Sequence, residues 1–243
     1  MVKIIAEGQN GRFTMEQLLQ VMKVLRSPEG CPWDREQDHK SIRNDGIEEI
    51  YEVADAIDSD DKDALCEELG DVLLQVVFHA QIALENGEFS FDDVVDGICK
   101  KLILRHPHVF GEGQAETSDQ VLDLWDKIKK KEKHQSTATD TLKSVPKAFP
   151  ALIRAAKVQK RAIKAGADIP DPLKNGSLME TVTELEKAVA SGDTERTEKL
   201  YGKLLFLSAG LQNKIKINAE QTLSAATDRY ISVFEEKEKE NSL

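Results

Sequence analysis

The fold is decided by Ile47-Glu48-Glu49-Ile50-Tyr51-Glu52-Val53-Ala54-Asp55-Ala56-Ile57, the acidic run Asp58-Ser59-Asp60-Asp61-Lys62-Asp63, and Ala64-Leu65-Cys66-Glu67-Glu68-Leu69-Gly70-Asp71-Val72-Leu73-Leu74 beyond it. Ile47, Ile50, Tyr51, Ala54 and Ile57 recur at helical spacing, which predicts a helix over 42–57 with one apolar side. The acidic run reads as a turn and a new helix start, because carboxylates favour the positive end of a helix dipole. A longer helix is then expected over 64–84, with Leu65, Leu69, Val72, Leu73, Val76, Val77 and Ala80 inside, ended by Asn86-Gly87. Two helices joined by so short a turn are expected to lie antiparallel.

Residues three or four apart share one helix face. Glu49 and Glu52 therefore project together from one helix, and Glu68 and Asp71 from the next. Four carboxylates crowded together are unfavourable unless a cation joins them. All-oxygen ligands favour Mg²⁺, Mn²⁺ or Ca²⁺ over zinc or copper. A Glu-rich helix ordinarily presents a solvated face. Here the second acidic pair recurs at matched spacing, and Gly70 lies beside it in mid-helix, where glycine costs about 1 kcal/mol relative to alanine. A di-iron bundle would need paired Glu-x-x-His motifs, and the single match, Glu36–His39, lies in a loop. The run Asp58–Asp63 lacks the glycine and terminal glutamate of an EF-hand.

Outward from this centre, Thr14-Met15-Glu16-Gln17 has the form of a capping box, and Leu18, Leu19, Val21, Met22 and Leu25 continue a helix from it. Ser27–Gly30 ends that helix, and Cys31–His39 reads as a polar loop. A fourth helix opens at Ser90 and stops before Pro107, and a fifth covers 118–133 with Trp125 in it. Residues 134–144 are polar and low in complexity. The expected organisation is an N-terminal domain over 1–134, a linker over 135–144 and a second domain over 145–243.

That second domain reads as a worn copy of the first. Leu185–Val189, Ser191-Gly192-Asp193 and Leu200–Phe206 repeat the pattern of Val53–Ile57, Asp58–Asp63 and Leu69–Leu74, with Gly202 matching Gly70. Leu200 and Lys203 stand where Glu68 and Asp71 stand, Lys187 near Glu52, and Glu184 at Glu49. The hydrophobic pattern is kept and the acids are lost.

With 44 acidic against 33 basic residues, the net charge is −11. An acidic chain repels a phosphate backbone, so broad nucleic-acid binding is not expected, although a bound cation can reverse the field locally for a small phosphorylated ligand. Three scattered cysteines, Cys31, Cys66 and Cys99, make neither a disulfide framework nor a zinc site, and suit free thiols in a reducing cytoplasm. Neither a signal-peptide core nor an apolar run of membrane-spanning length is visible, so a soluble protein is expected.

EExxE followed at an interval by ExxD resembles the MazG nucleoside triphosphate pyrophosphohydrolases, with Glu48, Glu49, Glu52, Glu68 and Asp71 in its places. Gly30-Cys31-Pro32-Trp33-Asp34, Gln37-Asp38-His39, Arg105-His106-Pro107-His108-Val109-Phe110-Gly111 and Trp125-Asp126-Lys127-Ile128-Lys129 with Glu132-Lys133 resemble that family too. The resemblance is dense over 13–133; the remainder resembles a second, tandem domain entered at Val145–Pro150. Asp38 stands where the family pattern has threonine.

The resemblance implies an all-α fold of two tandem helical-bundle domains, the second degenerate and structural or dimerising, in a homodimer. It implies Mg²⁺-dependent hydrolysis of ribo- or deoxyribonucleoside triphosphates, non-canonical ones included, to monophosphate and pyrophosphate, with Mn²⁺ able to substitute. Glu49, Glu52, Glu68 and Asp71 are the expected metal ligands, with Glu48 beside them. The metal would bridge phosphate oxygens and activate the attacking water, and Glu48 or Glu52 would take its proton. Lys101, Arg105, Lys127 and Lys129 are candidates to neutralise phosphate, and Trp33 and Trp125 to stack on the base. His79 falls at the edge of the same face, while His106 and His108 are expected to hold a turn. The alternatives are a non-catalytic nucleotide-binding or scaffold dimer, and an NTPase releasing orthophosphate; for the latter the G-x-x-x-x-G-K-[ST] loop is missing.

Overall fold

A computed structural model of the chain describes residues 11–132, 137–167 and 177–241. Every regular element among these residues is helical, and no helix among them is long and apolar enough to cross a membrane. The chain divides into two compact units, Met1–Trp125 and Asp126–Leu243.

In the first unit, α1 (Met15–Leu25) opens with the expected capping box: Gln17 N donates to Thr14 Oγ1 at 3.3 Å and Thr14 N donates to Gln17 Oε1 at 2.8 Å. Gly30 ends the turn after α1, where a Cβ would lie 2.2 Å from the carbonyl oxygens of Val24 and Leu25. No larger residue fits there. The stretch read as a loop contains a short helix, α2 (Pro32–Glu36), started by a proline whose missing N–H costs nothing at that position. Asp38 then accepts from Lys40 N and Ser41 N at 2.7 and 2.8 Å, which opens a 3₁₀ turn over Ser41–Arg43. These bonds hold its carboxyl below the usual range.

Next come α3 (Asp45–Asp58), α4 (Lys62–Glu85), α5 (Phe91–Arg105), the single turn α6 (Pro107–Phe110) and α7 (Ser118–Glu132). Asp60 adopts a left-handed conformation (φ 54°) between α3 and α4, which aspartate tolerates better than most residues. Asp61 caps α4, accepting from Asp63 N and Ala64 N at 3.0 Å.

The core joins Met22 of α1, Ile42, and Val77, Phe78 and Ile82 of α4. Arg26 closes it. Its guanidinium, 5% exposed, pairs with Glu85 through Nε and Nη2 and also donates to the carbonyls of Asp34 and Gln37. One buried cation thus ties α1, α2 and α4 together. The expected interior of α3 and α4 is only partly realised: Ile47, Ile50, Leu69, Leu73 and Val76 remain exposed. The cause is that α4 is apolar on more sides than α1, α3 and α5 cover.

In the second unit, the stretch read as a linker holds α8 (Ala138–Lys143), capped by Thr137 and Asp140. It is followed by α9 (Ala151–Lys164), α10 (Ser177–Ala190), α11 (Thr194–Ile215) and α12 (Ala219–Asn241). Gln159 is buried against α11 and donates to the Phe206 carbonyl at 2.7 Å.

Replacing Asp61 with alanine is expected to cost about 1 kcal/mol, the usual worth of an N-cap. Glu85→Ala strands the buried Arg26 charge and is expected to cost about 2 kcal/mol or more. Urea denaturation of both variants checks the order, which fails if Asp61→Ala proves the more damaging.

Candidate active site

The α3–α4 hairpin sets the site by simple counting. Glu52 lies six residues before the end of α3 and Glu68 six after the start of α4; Glu49 and Asp71 each lie nine from the turn. At 1.5 Å per residue, the first two are about 9 Å from the turn and the second two about 14 Å. The helices pack side by side, so the four acids form two facing rungs, Glu52 with Glu68 and Glu49 with Asp71.

The electrostatics follow those rungs. Glu49 has its carboxyl raised above the usual range by burial first, then by the charges of Asp71, Glu52 and Glu68. Glu68 is raised by burial first, then by Glu52 and Asp71. Glu52 is within hydrogen-bonding reach of both. Carboxylates at such separations resist ionising together.

Glu49, Glu68 and Asp71, all half-buried, each bring one carboxylate oxygen within 4.8 Å of the other two. Ligands around a magnesium ion at 2.0–2.1 Å stand about 3–4 Å apart. Small side-chain rotations would close the trio, and the all-oxygen donor set suits a hard divalent cation. Glu48 and Glu52 are both exposed and outside this trio, but the charge of Glu52 acts on both Glu49 and Glu68.

The other sequence candidates are dispersed. Trp33 is 58% exposed on α2. On α5, Lys101 is exposed and Arg105 half-buried. Trp125 meets His106 edge to face at 5.0 Å, and the His106 ring nitrogen contacts the Leu102 carbonyl at 2.6 Å, so His106 packs at the end of α5. Lys127 and Lys129 belong to α7, but their side chains lie outside the described residues.

His79 does not edge the acids. It stacks on His39 with Nδ1 atoms 2.8 Å apart, and its pKa is lowered by burial first and then by His39. Asp71 is eight residues away along α4, about 12 Å. The 40-residue separation of the two histidines left no periodic signal for this pair.

The second unit repeats the hairpin in α10 and α11, with the same number of residues between helices. Counting from that turn corrects the sequence register. Glu184 stands at the level of Glu52, not Glu49; Thr181, fully buried, takes the place of Glu49; Lys187 falls at Asp55. Leu200 and Lys203 do occupy the levels of Glu68 and Asp71. Glu184 pairs with Lys187 at 3.0 Å and with Arg196, and these cations lower its pKa. Among the described residues, only the first hairpin gathers metal-competent acids.

The family model for the MazG nucleotide pyrophosphohydrolase domain matches residues 37–110, which include both rungs. The chain is 40% identical over 232 residues to the nucleoside triphosphate pyrophosphohydrolase of Escherichia coli K12, spanning 93% of this chain and 87% of that one. It is also 40% identical over 223 residues to the nucleoside triphosphate pyrophosphohydrolase/pyrophosphatase MazG of Thermotoga maritima, spanning 92% and 85%. A Mycobacterium tuberculosis nucleoside triphosphate pyrophosphohydrolase is 42% identical over 152 residues, spanning 60% of this chain and 46% of that one.

The raised carboxyls carry a pH signature. A folded chain that binds these protons more tightly than the unfolded one is favoured at low pH; that contribution is lost as pH rises from about 4.5 through the raised values. In chelator, the melting temperature should therefore fall over that window, less so in Glu68→Gln. Divalent cation should reverse the fall, by about 2.7 kcal/mol at a hundredfold excess over Kd. Identical pH slopes for Glu68→Gln and the parent chain would sink this reading.

Proposed function

We propose, for a chain that belongs to the MazG family of nucleoside triphosphate pyrophosphohydrolases, that the α3–α4 hairpin of the first unit is its Mg²⁺-dependent catalytic centre. The enzyme hydrolyses nucleoside triphosphates to the monophosphate and pyrophosphate. The observation that carries the placement is the convergence of Glu49, Glu68 and Asp71 within 4.8 Å.

Glu49, Glu68 and Asp71 would hold the ion, which supplies charge neutralisation for phosphate oxygens and acidifies water. Glu52 is the remaining carboxylate of the cluster, placed to accept the proton of the attacking water. Glu48, beside Glu49 on the same helix, is the alternative acceptor. Lys101 and Arg105 are assigned to phosphate. Measured along the helix axes from the α4–α5 connection, Arg105 and Asp71 are both about 21 Å out, and Lys101 about 15 Å. Trp33, exposed on α2, whose Asp34 carbonyl Arg26 holds, is assigned to the base. Trp125, packed on His106, is assigned to walling the pocket. Lys127 and Lys129 remain proposals from the sequence alone, and Mn²⁺ is expected to replace Mg²⁺.

A second copy of this chain is the proposed cover for Ile47, Ile50, Leu69, Leu73 and Val76. Exposed apolar area on this scale marks an interaction surface. Gly70 fits the same reading, since a Cβ there would meet nothing within 4 Å inside the unit. The second unit, its acids replaced, is assigned a structural role from 145 onward. The three free cysteines suit a reducing cytoplasm.

Chromatography of products from a panel of ribo- and deoxyribonucleoside triphosphates tests the reaction. Monophosphate and pyrophosphate should form only with divalent cation. Glu68→Gln and Asp71→Asn should each lower turnover at least about a hundredfold, while Lys203→Gln leaves it unchanged. Diphosphate with orthophosphate as products would overturn the assignment. Ile50→Asp should halve the mass seen by sedimentation; an unchanged mass removes this face from the dimer.

A further inference from the structure

In the second unit, α9, the end of α11 and the connection that follows it line a groove of about 950 Å³ whose lining contains no carboxylate. That is unusual in a chain carrying eleven excess negative charges. Lys157, Lys160 and Lys164 line one wall from successive turns of α9, spanning about 10 Å. Lys216 faces them from the other wall. The Lys157 ammonium lies 5.4 Å from the Phe149 ring, outside this lining; Lys160 and Lys216, on opposite walls, carry the positive charge that raises the local potential and selects anions.

Lys216 supplies an independent observation. It ends α11 in the left-handed conformation, φ 55° and ψ 36°, where glycine or asparagine ordinarily sits. Such a conformation in a lysine is unfavourable, and residues held that way cluster at functional sites. Keeping lysine here places its ammonium on the groove. The floor is apolar, through Ile153, Ile163 and Ile217. The amides beside it are half-committed: Gln212 Oε1 accepts from Ala219 N, and Asn218 Oδ1 caps α12 by accepting from Glu220 N and Gln221 N. Each side chain keeps its NH₂ to donate.

We propose that this groove is a second, metal-independent site for a nucleoside polyphosphate: the lysines hold the phosphates, and the isoleucine floor with its amides takes the base. The cations that a metal supplies in the first unit are here built into the chain. This site does not rest on hydrolysis by the first unit, and the residues lining it belong to a different hairpin and a different helix face.

Calorimetric titration of the full chain in EDTA, with ATP and with inorganic pyrophosphate, tests it. ATP should saturate one site per chain, and added salt should weaken binding. Lys160→Glu combined with Lys216→Glu should weaken it about tenfold or more, whereas Glu68→Gln should not. If the double variant fails to fold by circular dichroism, Lys160→Gln with Lys216→Gln replaces it. Tighter binding of ATP than of pyrophosphate supports both floor and rim. Equal binding overturns the role of the floor and leaves a polyphosphate site. Absence of binding, or binding indifferent to the substitution of Lys160 and Lys216, overturns the proposal. So does a lysine variant that changes the sedimenting mass instead, because the groove would then be an interface between copies. Mg²⁺-dependent hydrolysis by the same variants, expected at the parent rate, reports separately on the acid site.

Discussion

Crowding of like charge governs the first unit. Two helices joined by three residues bring Glu49, Glu52, Glu68 and Asp71 to two facing levels, and the field of each acid opposes ionisation of the others. Such an arrangement has no stabilising value for a fold by itself. It becomes useful once a hard cation shares the oxygens, and the unfavourable energy of the empty cluster then adds selectivity for that cation. Metal affinity and the unfolding equilibrium of the hairpin are therefore linked.

A cluster held at that tension needs a rigid support, and the support lies elsewhere. Met22, Ile42, Val77, Phe78 and Ile82 fix the far half of α4, while Arg26 ties α1 and α2 to Glu85. The acidic half of α4 extends from this packed base along α3, with an exposed apolar face. The acids and this exposed apolar face share one helix, so covering Leu69, Leu73 and Val76 would stiffen the very segment that carries Glu68 and Asp71.

The second unit shows the same hairpin with its electrostatics reversed. Glu184 is neutralised by Lys187 and Arg196, and a buried threonine replaces an acid. Local ion pairs take up the charge of Glu184, and among the described residues this hairpin keeps the scaffold without a cluster of metal-competent acids. The lysine groove of α9 and Lys216 extends the reversal to a different surface of the same unit.

Helix existence, the Thr14 capping box and the pairing of acids along each helix follow from the sequence, because they depend on contacts three or four residues apart. The grouping of Glu49 and Glu52 with Glu68 and Asp71 was legible too, since a three-residue turn leaves two helices little choice but to lie side by side. Longer-range matters were decided only in three dimensions. Glu48 is adjacent in sequence to Glu49, yet a helix turns it about 100° away and out of the trio. The stretches over 31–39 and 135–144 gained short helices because caps and a buried arginine reward them. Stacking of His39 on His79, the exposure of half of α4, and the meeting of Lys216 with α9 join residues far apart in the chain, and no local period encodes which distant surfaces meet.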